Sequence, residues 1–219
     1  MGNPDLGKKV TQHRLGLLAA ILLCACAKQT IAQEPAATSN EVTPDSVRKV
    51  LVAPGYGTLK QDEFTVGLRS GALLVKVTPL NERIIRLAAP DTYNRLHALA
   101  ESRRADAVER TGGAEVELFM VSFFSYEPDV TFQPEDVQLE YNGMLLRPGA
   151  IIALTPSWGR QTMGQQETQA AIYAFAEPFD FELPLTVKYG MDQSSDWQRV
   201  IPKLETERSK IQSRQQKSE

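Results

Sequence analysis

From Phe64 to Tyr189 apolar residues recur at every second position, the period of a strand that buries one face and wets the other. In "EFTVGL" the repeat places Phe64, Val66 and Leu68 together; in "PLTVKY" it sets Leu185, Val187 and Tyr189 against Thr186 and Lys188. Turn residues punctuate the strands. Asn142-Gly143 separates "VQLEY" from "MLLRP", and Asn-Gly supplies the two positive φ angles that a type I′ hairpin turn demands. Ser70-Gly71 divides Phe64 to Arg69 from "ALLVKVTPL", and Pro79 to Asn81 divides that from "ERIIRLA", which reads as a meander. The run Glu115 to Tyr126 begins alternating and turns apolar on both faces, so it belongs mid-sheet with cover on two sides. "VRKVLV" (Val47 to Val52), "AIIALTP" and "TQAAIYAFA" supply further strands.

That many short strands at this spacing predict a mainly β domain over residues 47–194, an antiparallel β-sandwich. Its general look resembles an immunoglobulin-like sandwich with one inserted helix and a C-terminal helix. Asp91 caps the inserted helix, in which Tyr93, Leu96, Ala100 and Ala107 share a side and pack across one open end. Residues 195–219 form the second helix and a frayed tail beyond Ile211. Ser195 and Gln198 match a capping box, and Trp197, Val200, Ile201, Leu204 and Ile211 recur at helical spacing. Pro202 implies a kink, or a short turn with a new helix starting there.

The N-terminal stretch "RLGLLAAILLCACAKQ" holds an apolar run, Leu15 to Ala25, too short for a hydrocarbon core that takes roughly 20 helical residues. Lys8, Lys9 and Arg14 precede it, the layout of a secretory signal peptide. Cys24 and Cys26 are too close in sequence for an unstrained disulfide. "Leu23-Cys24-Ala25-Cys26" resembles the lipobox of bacterial lipoproteins, with Cys24 where Ala, Ser or Thr is usual. The resemblance implies a signal peptide at residues 1–25, cleavage between Ala25 and Cys26, and diacylglycerol on the Cys26 sulfur with acylation of the new amino terminus. The alternative is ordinary signal cleavage after Ala32, where "TIA" approximates a small-x-small site. A lipid on Cys26 places the protein on a bacterial cell envelope, and Ala27 in place of Asp points to the outer membrane or its periplasmic side in a Gram-negative host. Residues 26–46 read as a disordered linker whose r.m.s. reach is roughly 25 Å.

Charge and composition restrict function. The formal charge of −3 becomes more negative once Lys8, Lys9 and Arg14 leave with only Asp5, and no single-sign basic stripe marks a nucleic-acid binder. The mature chain has no thiol beyond Cys26, and His97 is its one histidine, which excludes a His/Cys zinc centre by count. The helical phase of His97 makes it a packing or capping residue rather than a catalytic base. Glu135 with Asp136, and Asp180 with Glu182, flank strand starts as solvated carboxylates. Gly55 to Gly57 and Thr111 to Gly113 lack the phosphate-cradle layout and read as turns. Nothing calls for a cofactor.

The loop "LTPSWGRQTMGQQETQ" carries Trp158 and Arg160, residue types enriched at binding hot spots. They form either a partner-binding site or, in the case of Trp158, a lid on the core. The leading expectation is a lipid-anchored, non-catalytic binding or assembly module for an envelope protein partner. The alternative is a carbohydrate-binding or glycan-acting domain, which requires Trp158, Tyr56 and Tyr173 on one exposed face. A third is association through the C-terminal helix, where Leu204 and Ile211 stand one heptad apart, too little alone for a coiled coil.

Overall fold

The computed structural model describes residues 51–113 and 115–216. The signal peptide, Ala25, Cys26, the linker and Val47 to Val50 lie outside the described residues, as do Lys217 to Glu219; Leu51 and Val52 belong to no strand. The described chain is mainly β and antiparallel, with three α-helices. One sheet orders β1 (Val66–Ser70), β2 (Leu73–Pro79), β3 (Glu117–Ser125), β9 (Thr168–Phe175) and β7 (Ala150–Ala153). A second orders β11 (Asp192–Ser194), β10 (Leu185–Tyr189), β5 (Val137–Tyr141) and β6 (Met144–Leu146). A short pair joins β4 (Val130–Thr131) to β8 (Thr162–Met163). The Asn-Gly turn forms as its chemistry requires: Asn142 and Gly143 have φ of 50° and 74°, and Tyr141 pairs with Met144.

Two local expectations are corrected. "ERIIRLA" is not a strand; it forms α1 (Glu82–Ile85), capped by the Asn81 side chain, which accepts the Arg83 N–H at 2.9 Å. Adjacent Ile84 and Ile85 are both buried, which a helical turn allows and a half-buried strand does not. The inserted helix α2 (Pro90–Thr111) is not capped by Asp91: Ala89 holds the N-cap position, Pro90 supplies a preset φ, and Asp91 lies in the first turn. Gly112, at φ 66°, closes α2 by donating its N–H to the Val108 carbonyl.

The C-terminal helix α3 (Trp197–Gln216) does not restart at Pro202 and continues past Ile211. Its first turn is tight, with Gln198 N–H on the Ser195 carbonyl and Arg199 N–H on the Asp196 carbonyl. Pro202 has no N–H for the Gln198 carbonyl, so the helix continues with one hydrogen bond fewer there. The Ser195 hydroxyl lies 3.3 Å from that of Thr186.

Alternation then decides the packing. Phe119, Val121 and Phe123 of β3 point to the inner side of the five-stranded sheet and are fully buried. There Phe123 meets Tyr189 of β10 edge to face at 5.6 Å, and Phe119 is ringed by Phe175, Phe179 and Phe181 at 5.2 to 5.9 Å. Trp197 closes this cluster, its indole N–H donating to the Phe181 carbonyl at 3.1 Å. The outer side is covered by α2 over β7 and β9, where Leu118, Ile172 and Ala174 are buried.

Residues leading into the first strand are strapped down. Leu59 exchanges backbone hydrogen bonds with Leu87 and Ala89 at 3.1 and 2.9 Å. Gly57 runs so close to that segment that a Cβ there would sit 2.2 Å from the Leu87 carbonyl carbon, so only glycine fits. Glu207 of α3, 2 % exposed, accepts both the N–H and the hydroxyl of Thr58 at 3.0 and 2.7 Å. Lys210 and Arg214 lie 3.8 and 3.7 Å from the same carboxylate, and Arg214 also donates to the Tyr56 carbonyl at 3.1 Å. Its cost of burial is offset by these donors and charges.

Candidate binding surface

Antiparallel register lines up rows of side chains across the outer side of the five-stranded sheet, away from the end that α2 covers. One row is Arg69, Leu74, Phe124 and Thr168; the next is Gly67, Lys76, Ser122 and Ala170. No residue of either row is fully buried. Tyr126, 41 % exposed, extends the surface past the end of β3. Its ring meets Phe124 edge to face at 4.9 Å and lies 4.7 Å beneath the Arg69 guanidinium. Leu74, Lys76, Ser122, Phe124, Tyr126 and Thr168 line a shallow groove of about 430 Å³ here. Lys76 is paired with exposed Asp62 at 3.1 Å, so the groove floor is apolar and its rim charged.

The Trp158 loop joins this surface at its Thr168 end. A 3-10 turn, Trp158–Arg160, turns the half-buried indole inward, where its ring centroid lies 5.2 Å from Phe132, 5.8 Å from Phe123 and 6.4 Å from Tyr173. Arg160 points away, its side chain 71 % exposed and 3.9 Å from the Glu167 carboxylate. Glu167 organises the loop by accepting the Gly164 N–H at 2.8 Å, with Gln169 and Ser157 on its other oxygen. The Gly164 N–H, foremost, holds its carboxyl below the ordinary range. The Glu167 carbonyl accepts the Ser125 N–H at 3.1 Å, which ties the loop to β3 one residue from Tyr126. Structure therefore separates the two loop candidates: Trp158 packs inward, and Arg160 is exposed beside Glu167.

The remaining candidates fall elsewhere. Tyr173 is buried, with its hydroxyl donating to the Pro134 carbonyl at 2.9 Å, and burial pushes its phenol up. Tyr56 is 48 % exposed beside α3, so Trp158, Tyr56 and Tyr173 form no common sugar-stacking face. Glu135, Asp136 and Asp180 are exposed, and Glu182 is exposed and paired with Arg208 at 3.1 Å. No group of three or more His, Cys, Asp or Glu side chains suited to a metal ion occurs among the described residues.

His97 joins a cluster that the strand reading of residues 82–88 hid. Its Nδ1 lies 2.6 Å from Glu82 Oε1 and its ring stacks on Tyr93 at 5.3 Å. Arg86 donates to the other Glu82 oxygen at 2.6 Å. Burial acts to raise the Glu82 carboxyl, but hydrogen bonds and charge from Arg86 and His97 outweigh it and hold the group below the ordinary carboxylate range. The cluster locks α1 to α2. At the other end of α2, Arg104, Val108, Val116, Glu117 and Pro178 line a cleft of about 400 Å³. Asn81 holds both Glu117 oxygens at 2.9 and 3.0 Å, yet burial outweighs that bond and raises the Glu117 carboxyl.

Together these residues form an apolar groove with aromatic and guanidinium groups beside a polar loop. Neither protein-family profiles, nor curated proteins, nor solved structures give a match to this chain.

Proposed function

We propose that this chain is a bacterial envelope lipoprotein, anchored by lipid on Cys26, whose antiparallel sheets pack as an immunoglobulin-like sandwich and serve as a non-catalytic binding module for a protein partner. The lipobox-like residues Leu23 to Cys26 support the anchor, and contact between the buried faces through Phe123 and Tyr189 supports the sandwich. The observation that carries the binding reading is the open half of the outer sheet face, where Leu74, Phe124 and Tyr126 stay accessible next to Arg69. Aromatic residues and arginine around an apolar centre are the composition of protein recognition surfaces. Arg160 offers an exposed guanidinium on the neighbouring loop, and Trp158 packs under β3 against Phe123.

Two measurements test this reading. The intact mass of the mature N terminus carries a diacylglyceryl adduct on Cys26; an unmodified product starting beyond Cys26 refutes the anchor. A photo-crosslinking residue placed at Tyr126 or Arg160 in the producing cell captures the same single protein, and one placed at fully exposed Met191, in the β10–β11 turn, does not. Equal capture at all three positions, or none, refutes the partner surface.

A further inference from the structure

The α3 helix carries a row of cations beside its core-facing stripe, two of which, Lys210 and Arg214, also flank the buried Glu207 carboxylate. At about 100° per residue, Arg199, Lys203, Lys210 and Arg214 fall within roughly 60° of one another, beside the stripe of Trp197, Val200, Leu204 and Ile211 that faces the core. Their side chains reach solvent: Arg199 is 83 %, Lys210 58 % and Arg214 46 % exposed, and Lys203 is exposed as well. The acid of the helix that is not buried, Glu205, lies on the far flank, and Asp196, paired with Arg199 at 3.1 Å, precedes the helix. Thr206, Ser209 and Ser213 fill the gaps between the cations with small hydrogen-bonding groups. Asp196 and the buried Glu207 offset part of this charge, and the row stays net positive on a chain of net negative charge.

A second observation says what the row faces. Tyr56 and Thr58 are bound directly to Arg214 and Glu207 of α3, and Leu51 lies five residues earlier, at most about 17 Å of extended chain away. The polypeptide thus enters its folded region beside the cationic row. We propose that this row docks the domain on an anionic phospholipid surface, with Arg199, Lys203, Lys210 and Arg214 contacting headgroup phosphates. The proposal rests on the lipid-anchor reading for its setting, since a tether supplies the local concentration that makes a few screened contacts sufficient. Such contacts act only within about 8 Å at physiological salt, so docking requires the helix to lie at the headgroups rather than above them. A nucleic-acid groove would pair such a row with aromatic side chains for base stacking; here Thr and Ser fill the gaps.

The test uses the full chain with Cys26→Ser, so that no acyl chain contributes and its failure is distinct from failure of the anchor. It is titrated with vesicles of phosphatidylcholine alone and of phosphatidylcholine with phosphatidylglycerol. The apolar run Leu15 to Ala25 is common to every variant, so differences between variants report the helix alone. The chain prefers the anionic vesicles, and the preference disappears as salt rises. The variant Arg199→Gln, Lys203→Gln, Lys210→Gln loses on the order of a hundredfold of it, roughly fivefold per cation. A control with Arg95→Gln, Arg110→Gln and Arg147→Gln keeps it. Without any substitution, hydrogen exchange slows along α3 when anionic vesicles are added, a readout that stands even where the triple variant folds poorly. Absence of an anionic preference, equal loss in the control, or unchanged exchange along α3 overturns the proposal. So does tighter binding to a single-stranded oligonucleotide that the same triple variant loses, which assigns the row to nucleic acid.

Discussion

The inner and outer sides of the five-stranded sheet are built by the same strands and the same alternation, yet they do opposite work. On β3, Phe119 faces inward, is fully buried and touches three other phenylalanines; Phe124 faces outward, half-buried, and touches Tyr126. Where α2 lies over the outer side, that side too is core. Where α2 stops, apolar residues stay at the surface without a covering element among the described residues. One strand thus divides its residues: inward ones hold the fold, and outward ones stay accessible, as the proposed partner surface requires.

The sharpest way to break this comparison is to truncate both phenylalanines. Phe119→Ala is expected to cost about 3–5 kcal/mol of unfolding free energy in urea titration, as a large ring is deleted from a packed aromatic cluster. Phe124→Ala, whose ring already meets water, is expected to cost about 1 kcal/mol or less. Equal losses would mean that the outer face is core after all. Next, Tyr173→Phe removes one buried donor and leaves the Pro134 carbonyl without its partner; about 1–3 kcal/mol of stability is lost, read from the thermal midpoint.

A third test concerns the helix that covers half of the outer face. Glu82 is held below its ordinary value in the folded chain, so the unfolded chain binds its proton more readily. Its contribution is therefore complete above about pH 4.3, the unfolded value, and is lost as pH falls through the folded one. Glu82→Gln removes this part of the acid slope in a series of urea midpoints between about pH 7 and pH 3. An unchanged slope would show that the α1–α2 lock lies elsewhere. The smallest effect belongs to the outer side of the four-stranded sheet, where Lys188 and Glu140 pair at 2.8 Å in partial exposure. Lys188→Ala should cost less than about 1 kcal/mol, and less again in high salt.

Period two and turn chemistry made most strands readable, because one wet face and one dry face leave a direct trace in sequence. The β5–β6 hairpin was legible from Asn142-Gly143 alone. Misreadings came where local signals were ambiguous or overruled. In "ERIIRLA" the adjacent pair Ile84-Ile85 fits a helical turn better than an alternating strand, and Asn81 stands where a cap belongs. Pro202 implied a kink or a new helix starting there; the helix does not restart, and packing of Val200, Leu204 and Ile211 carries it through at the cost of one hydrogen bond. The open face was not legible, since it depends on where α2 ends over the sheet, a matter of three-dimensional placement. The cationic row of α3 went unread although its spacing is helical: Arg199, Lys203, Lys210 and Arg214 are four, seven and four apart, which a helical projection brings together. A whole-chain search for a basic stripe passes over it because the net charge is negative.

Contact between Arg214 and the Tyr56 carbonyl also brings the two extremities of the folded region side by side. Proteins with neighbouring ends accept rewiring of their chain order. A circular permutant that bridges residues near Tyr56 and Arg214 by a short linker and opens the chain at Asn142-Gly143 should retain the same architecture, and it would separate this region from residues 1–50 without cutting a strand.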